Sequence, residues 1–187
     1  MIFGLVSAGI IIAASVATWQ FFFNYPRYDL GAKDELISKL SEYLSREPDN
    51  AVRLVNETHS VLQGDQEIYS YDLVAAHDSK AHGKLIIGTY YQENKVWKIN
   101  VKWEHRGDPN LLNASELIVS AITDNAIPEW QTDDGRPNRN VQMLNWIHAN
   151  ATQYPVVKHF SQDRTLSLTA GQDRFSLSVA IIKAKFL

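Results

Sequence analysis

The sequence predicts an α+β fold: one N-terminal transmembrane helix, followed by helices packed on an antiparallel sheet. Three observations predict it. No charged side chain precedes Arg27. Two stretches with apolar residues at helical spacing follow, over residues 34–46 and 51–62. The period then changes to alternation over 67–76, 96–104 and 174–182, with a β-branched, aromatic run over 84–91 and a further hairpin strand over 165–169.

The N-terminal stretch from Ile2 to Phe23 reads IFGLVSAGIIIAASVATWQFFF. As a helix it would be about 33 Å long, against a hydrocarbon core of about 30 Å. Trp19, Tyr25 and Tyr28 fall at or just past one end, where amphipathic rings favour the membrane interface, and Pro26 stops the run. Gly4, Ser7, Ala8, Gly9 and Ala13 are small enough to let a neighbouring helix approach closely, so they are the candidate helix–helix packing residues. A cleaved signal peptide is the competing reading, with Ser15-Val16-Ala17 as its small-residue site, but no basic segment precedes the apolar run. The nearby basic residues Arg27, Lys33 and Lys39 lean toward a cytoplasmic or matrix-like side for the rest of the chain. Asp29, Asp34 and Glu35 among them leave the side open.

Residues 26–187 are enough for a single soluble α+β domain, with a seam near Gly107 as the place where two smaller domains would join. The chain of 187 residues carries a formal charge of −3, so no basic field draws it onto nucleic acid. Cysteine is absent, which excludes disulfides, thiolate metal sites and cysteine nucleophiles.

Over 34–46, Leu36, Ile37, Leu40, Tyr43 and Leu44 share a helical face, and Pro48 ends the helix. Asp49 or Asn50 would cap a second helix with Ala51, Leu54, Val55, Thr58, Val61 and Leu62 on one side, and Gly64 would stop it. In 67–76, Tyr69, Tyr71 and Leu73 alternate with Ile68, Ser70 and Asp72. A polar turn and a β-branched, aromatic strand follow, then a tight turn around Asn94. In 96–104, Trp97, Ile99, Val101 and Trp103 face one way, and Lys98, Asn100, Lys102 and Glu104 the other. Asn113 with Glu116 resembles a capping box opening a helix through Leu117, Ile118, Ala121 and Ile122. A polar loop over 128–140 precedes a helix carrying Val141, Leu144, Ile147 and His148. A short strand over 156–160 and a hairpin around Ala170-Gly171-Gln172-Asp173 complete the chain.

The first of these units carries a family resemblance. Val61-Leu62-Gln63-Gly64, Gly83-Lys84-Leu85-Ile86-Ile87-Gly88 and Lys95-Val96-Trp97-Lys98-Ile99-Asn100-Val101, behind a membrane helix, resemble the cytochrome oxidase assembly proteins. That family is related in fold to a subunit of the mitochondrial presequence translocase. The resemblance spans residues 1–104, and Asp65 and Gln66 depart from the small apolar or proline positions the family has after its glycine. It implies a non-enzymatic, membrane-anchored helper and transfers no catalytic residue.

The motifs that could carry chemistry are few. His77 and His82 flank Asp78 in AHDSKAH, but a metal needs several converging donors, and a solvated turn accounts for this spacing. Asp133-Asp134 sits among basic residues, unlike a calcium loop. Glu57 and His59, two apart on the expected helix, would not share a face. There is no nucleophile elbow, phosphate loop or dinucleotide fingerprint. No catalytic, cofactor-binding or metal-ligating residue is therefore assigned, and no cofactor or small-molecule substrate is expected. Aromatic residues concentrate in the three-stranded unit. They suit a core beneath the helices, while Tyr69, Tyr71, Tyr90 and Tyr91 are the candidates for a partner surface on an exposed sheet face.

The expected function is that of a non-catalytic, single-pass accessory subunit or assembly factor of a multisubunit membrane complex. The partners are then the membrane and other protein subunits. The resemblance favours a respiratory complex of the mitochondrial inner membrane, with a bacterial inner membrane as the other location. The alternative is a membrane-anchored, cone-shaped α+β ligand-binding or enzymatic domain of a bacterial envelope. A cleft of converging ionisable groups would favour that alternative.

Overall fold

The structure, a computed structural model, describes residues 29–62, 66–90, 92–127, 149, 156–160, 164–170 and 174–181. Helix α1 spans Lys33–Leu44 and a single 3-10 turn spans Pro48–Asn50. Four strands follow: β1 Val52–Leu62, β2 Gln66–Ala75, β3 Ala81–Tyr90 and β4 Val96–Glu104. Helix α2 spans Pro109–Ala126, and then come β5 Val156–His159, β6 Arg164–Ala170 and β7 Arg174–Ile181. The strands form one seven-stranded sheet in the order β1-β2-β3-β4-β7-β6-β5, and every pairing is antiparallel.

This corrects the expected architecture of a transmembrane helix followed by helices on a sheet. The fold is mostly sheet, and among the described residues no helix is long and apolar enough to cross a membrane. Residues 1–25, to which the transmembrane helix was assigned, lie outside the described residues, as do the packing residues Gly4, Ser7, Ala8, Gly9 and Ala13. The helix expected around Val141 and His148 lies there too.

The second expected helix is strand β1. Register with β2 shifts between Val55 and Thr58, so Asn56 and Glu57 form a bulge, with Asn56 at φ 54°. Before the bulge Leu54 pairs with core-facing Leu73, and after it His59 pairs with core-side Tyr69. The inward parity therefore switches from even to odd positions. This erases the period of two and leaves apolar residues at helix-like intervals. Val52, Val55, Thr58 and Val61 are β-branched, and pairing with β2 settles the outcome in favour of strand.

Helix α1 forms as its pattern predicts, with Leu36, Leu40, Tyr43 and Leu44 buried. Asp34 and Glu35 lie in its first turn, where the helix dipole favours negative charge, and Glu35–Lys39 and Glu42–Arg46 pair at i,i+4. Helix α2 begins at Pro109, earlier than the Asn113 box suggested. The side chain of Asp108 accepts from the Asn110 backbone N–H at 2.8 Å, and proline suits the first helical position. One core cluster joins both helices to the inward sheet residues Tyr71, Leu73, Leu85, Ile87, Ile99, Val101 and Trp103, and to those of β6 and β7. The helices thus share one face of the sheet.

A second bulge moves Trp97. Val96 pairs with Thr89 and Lys98 with Gly88, which leaves Trp97 as the extra residue. Its indole lies over Gly88, where a Cβ would stand 2.8 Å from Trp97 Cε2. Gly88 pairs with outward-facing Lys98, so Trp97 is on the outer face, not with Ile99, Val101 and Trp103 as alternation had predicted. Trp103 keeps its expected place, fully buried, with Nε1 donating to the Leu111 carbonyl at 2.9 Å.

Candidate functional site

A group of ionisable side chains gathers at one end of the sheet. The β2–β3 turn brings His77, Asp78 and His82 to the 3-10 turn, which carries Asp49, and to the start of α2, which carries Asp108 and Asn110. These residues, with Ala51, Ala75, Ala76, Leu111 and Ala114, line a cleft of about 180 Å³. The alanines explain the space: short side chains stand where the turn, the 3-10 segment and the helix start meet.

Asp78 organises the turn. Its Oδ1 accepts from the Lys80 backbone N–H at 2.9 Å, and its Oδ2 lies 2.8 Å from His82 Nε2. The Lys80 N–H first, and His82 second, hold the Asp78 carboxyl below the usual carboxylate range. An ionised carboxylate can only accept, so Nε2 of His82 is the protonated nitrogen and donates to it. The ring of His82 also leans on the buried Trp103, with centroids 5.8 Å apart at 54°. Its orientation is therefore fixed from two sides.

Such a pair can hold an imidazole in one tautomer, as a general base requires. The lining residues supply no hydroxyl or thiol for it to activate. Three carboxylates and two imidazoles also suit a cation. Among the described residues, however, no three His, Cys, Asp or Glu side chains converge closely enough to hold a metal ion. The cleft is an acidic, solvent-facing recess with one oriented histidine.

Asp49 and Asp108 had no place in the sequence reading of AHDSKAH. The available signal was Asp108-Pro109, an N-cap followed by proline at the first helical position, which brings a helix start to this end of the sheet.

Of the four tyrosines proposed as a partner surface, Tyr71 and Tyr90 are buried, at 5% and 4% exposure, and Tyr91 lies outside the described residues. Tyr69 is half-buried: it donates to Glu67 at 3.0 Å, stacks on His59 with centroids 4.5 Å apart, and lies 3.9 Å from Lys33 Nζ. Burial, then Glu67, pushes its hydroxyl pKa up to about 12. Burial likewise raises that of Tyr71.

Among the described residues, the outer face of the sheet carries mostly polar side chains. Register places Val157, Ser167, Ser178, Asn100, Ile86, Ser70 and Thr58 in one row across all the strands. The next row runs Thr169, Ser176, Lys102, Lys84, Asp72 and Val55. Helices α1 and α2 lie on the opposite face. No family model, curated protein or solved structure matches the chain.

Proposed function

We propose that this chain is a non-catalytic accessory subunit or assembly factor of a multisubunit membrane complex, and that it works by docking. The observation that carries the reading is the asymmetry of the fold. Helices and core occupy one face of the sheet, and the other presents short hydroxyl and lysine side chains across its strands. Such a sheet face offers area for a partner. The uncharged stretch from Met1 to Tyr25 supports attachment to a membrane. The resemblance over residues 1–104 makes respiratory complexes the first to examine, although the segment expected as its glycine-ended helix is strand β1. The test is mild-detergent solubilisation, native electrophoresis and identification of stoichiometric co-migrating subunits. Migration as a free chain under conditions that keep membrane complexes intact would overturn the proposal.

A second reading, a ligand-binding or enzymatic domain, is favoured by the cleft of His77, Asp78, His82, Asp49 and Asp108. It predicts that replacing His77, Asp78 and His82 together by alanine abolishes function while complex association persists.

A further inference from the structure

We infer that the outer face of β3 and β4 receives the acidic surface of a protein partner, whose carboxylates meet Lys98 and Lys102. The inference rests on the docking reading above and names its surface and the partner's chemistry.

The register sets these lysines on one face. Lys84 pairs directly with Lys102, and Lys98 lies on the same side of β4. Directly opposed residues bring their Cβ atoms to about 5 Å, where like charges destabilise a sheet. Lys98 and Lys102 are about 13 Å apart along the strand, at about 3.3 Å per residue. A chain of net charge −3 thus concentrates positive charge at the centre of its outer face.

The local carboxylates neutralise it only in part, at Lys84. Asp72 lies 3.6 Å from Lys84 Nζ, and Glu104 is taken by Arg106 at 2.8 Å. Among the described residues, Lys98 and Lys102 have no carboxylate partner, whereas Lys33, Lys39, Lys84, Lys95 and Arg46 each have one. Lys102 is exposed, and Lys98 Nζ lies 6.0 Å from the Trp97 ring. Cations that lack a carboxylate on their own chain match a partner that brings carboxylates. The hydroxyl side chains of Ser176 and Ser178 on β7 are too short to screen the lysines from a flat partner.

The test uses the full chain in detergent micelles and a fluorescein-labelled peptide with glutamate at alternate positions, read by anisotropy. K98E/K102E is compared with K39E/K80E, which changes the formal charge equally but lies on α1 and the β2–β3 turn. The expected result is a loss of about tenfold or more in peptide affinity for K98E/K102E and less than about twofold for K39E/K80E. Equal losses in the two variants, or no peptide binding by the wild type, would overturn the inference. So would tighter binding of phosphatidylserine vesicles or a single-stranded oligonucleotide at the same lysines. Thermal unfolding checks that K98E/K102E is folded; K98Q/K102Q replaces it if it is not, with the same expected direction. On native gels, a wild type in the complex with K98E/K102E running free supports the inference. If both remain in the complex, this surface is wrong and the docking reading stands. If the wild type itself runs free, the docking reading fails.

Discussion

Replacing Trp103 by alanine should cost far more stability than the same change at Trp97, although both belong to β4. Trp103 has no exposed surface, and burial of an indole removes about 150–250 Å² from water. At about 25 cal/mol per Å² this gives about 4–6 kcal/mol as an upper bound. Truncations of this kind cost about 3–5 kcal/mol. The lost hydrogen bond to the Leu111 carbonyl adds about 1 kcal/mol. That carbonyl also accepts from Ser115 Oγ at 3.0 Å, so no buried acceptor is stranded. The expected loss is about 4 kcal/mol. Trp97 is half-buried on the outer face, worth about 2 kcal/mol of apolar burial. Its buried N–H without an acceptor costs about 1–3 kcal/mol and offsets much of that gain. Trp97→Ala should therefore cost less than about 2 kcal/mol, and Trp97→Phe should be close to neutral. Urea unfolding of the full chain, followed by far-UV circular dichroism, measures both. A loss for Trp97→Ala equal to that for Trp103→Ala would refute the bulge that turns Trp97 outward.

Gly83→Ala should lower the unfolding midpoint sharply in the same assay, because a Cβ there would collide with the Lys102 carbonyl oxygen and stand 2.9 Å from Trp103 Cε3. Gly107→Ala should cost about 1 kcal/mol or more, since Gly107 sits at φ +73°, and a neutral result would deny that turn its left-handed residue. Burial raises the Asp124 carboxyl above its ordinary 3.8, although Tyr43 donates to it at 3.1 Å and partly opposes the shift. Its ionisation therefore weakens the fold at pH 7, and the penalty lifts as pH falls through the raised folded value. Asp124→Asn should raise the melting temperature at pH 7, with the gain fading toward pH 4; no gain at pH 7 would contradict this. Asp78, Glu35 and Glu104 act in the opposite sense. Their folded values are depressed, so their contribution is present above the ordinary carboxylate range and is lost as pH falls through it. Asp78→Asn should accordingly flatten the acid limb of the melting-temperature profile.

Elements with an uninterrupted pattern were legible from their residues alone. Leu36, Leu40 and Leu44 repeat on one helical face, and the strand from Phe175 to Ile181 alternates without a break; both formed where their periods placed them. Asn94, at φ 51°, marked its hairpin turn because asparagine tolerates the left-handed region. Of the site, the pairing of His82 with Asp78 was within reach, since both stand in one short turn.

The tertiary structure decided what local pattern could not. A bulge is created by pairing with a neighbour, so the phase switches at Asn56–Glu57 and at Trp97 left no trace that a single segment could carry. The first turned an expected helix into an edge strand, and the second sent a tryptophan through the sheet to its other face. Asp49 and Asp108 joined His82 only because the 3-10 turn and the start of α2 close on the same end of the sheet. The opposition of Lys84 and Lys102 likewise exists only in the register between β3 and β4. Periodicity reports which side of an element meets apolar surroundings. It holds no information about which strand lies alongside or where an extra residue is absorbed, because those are set by contacts between residues distant in the chain.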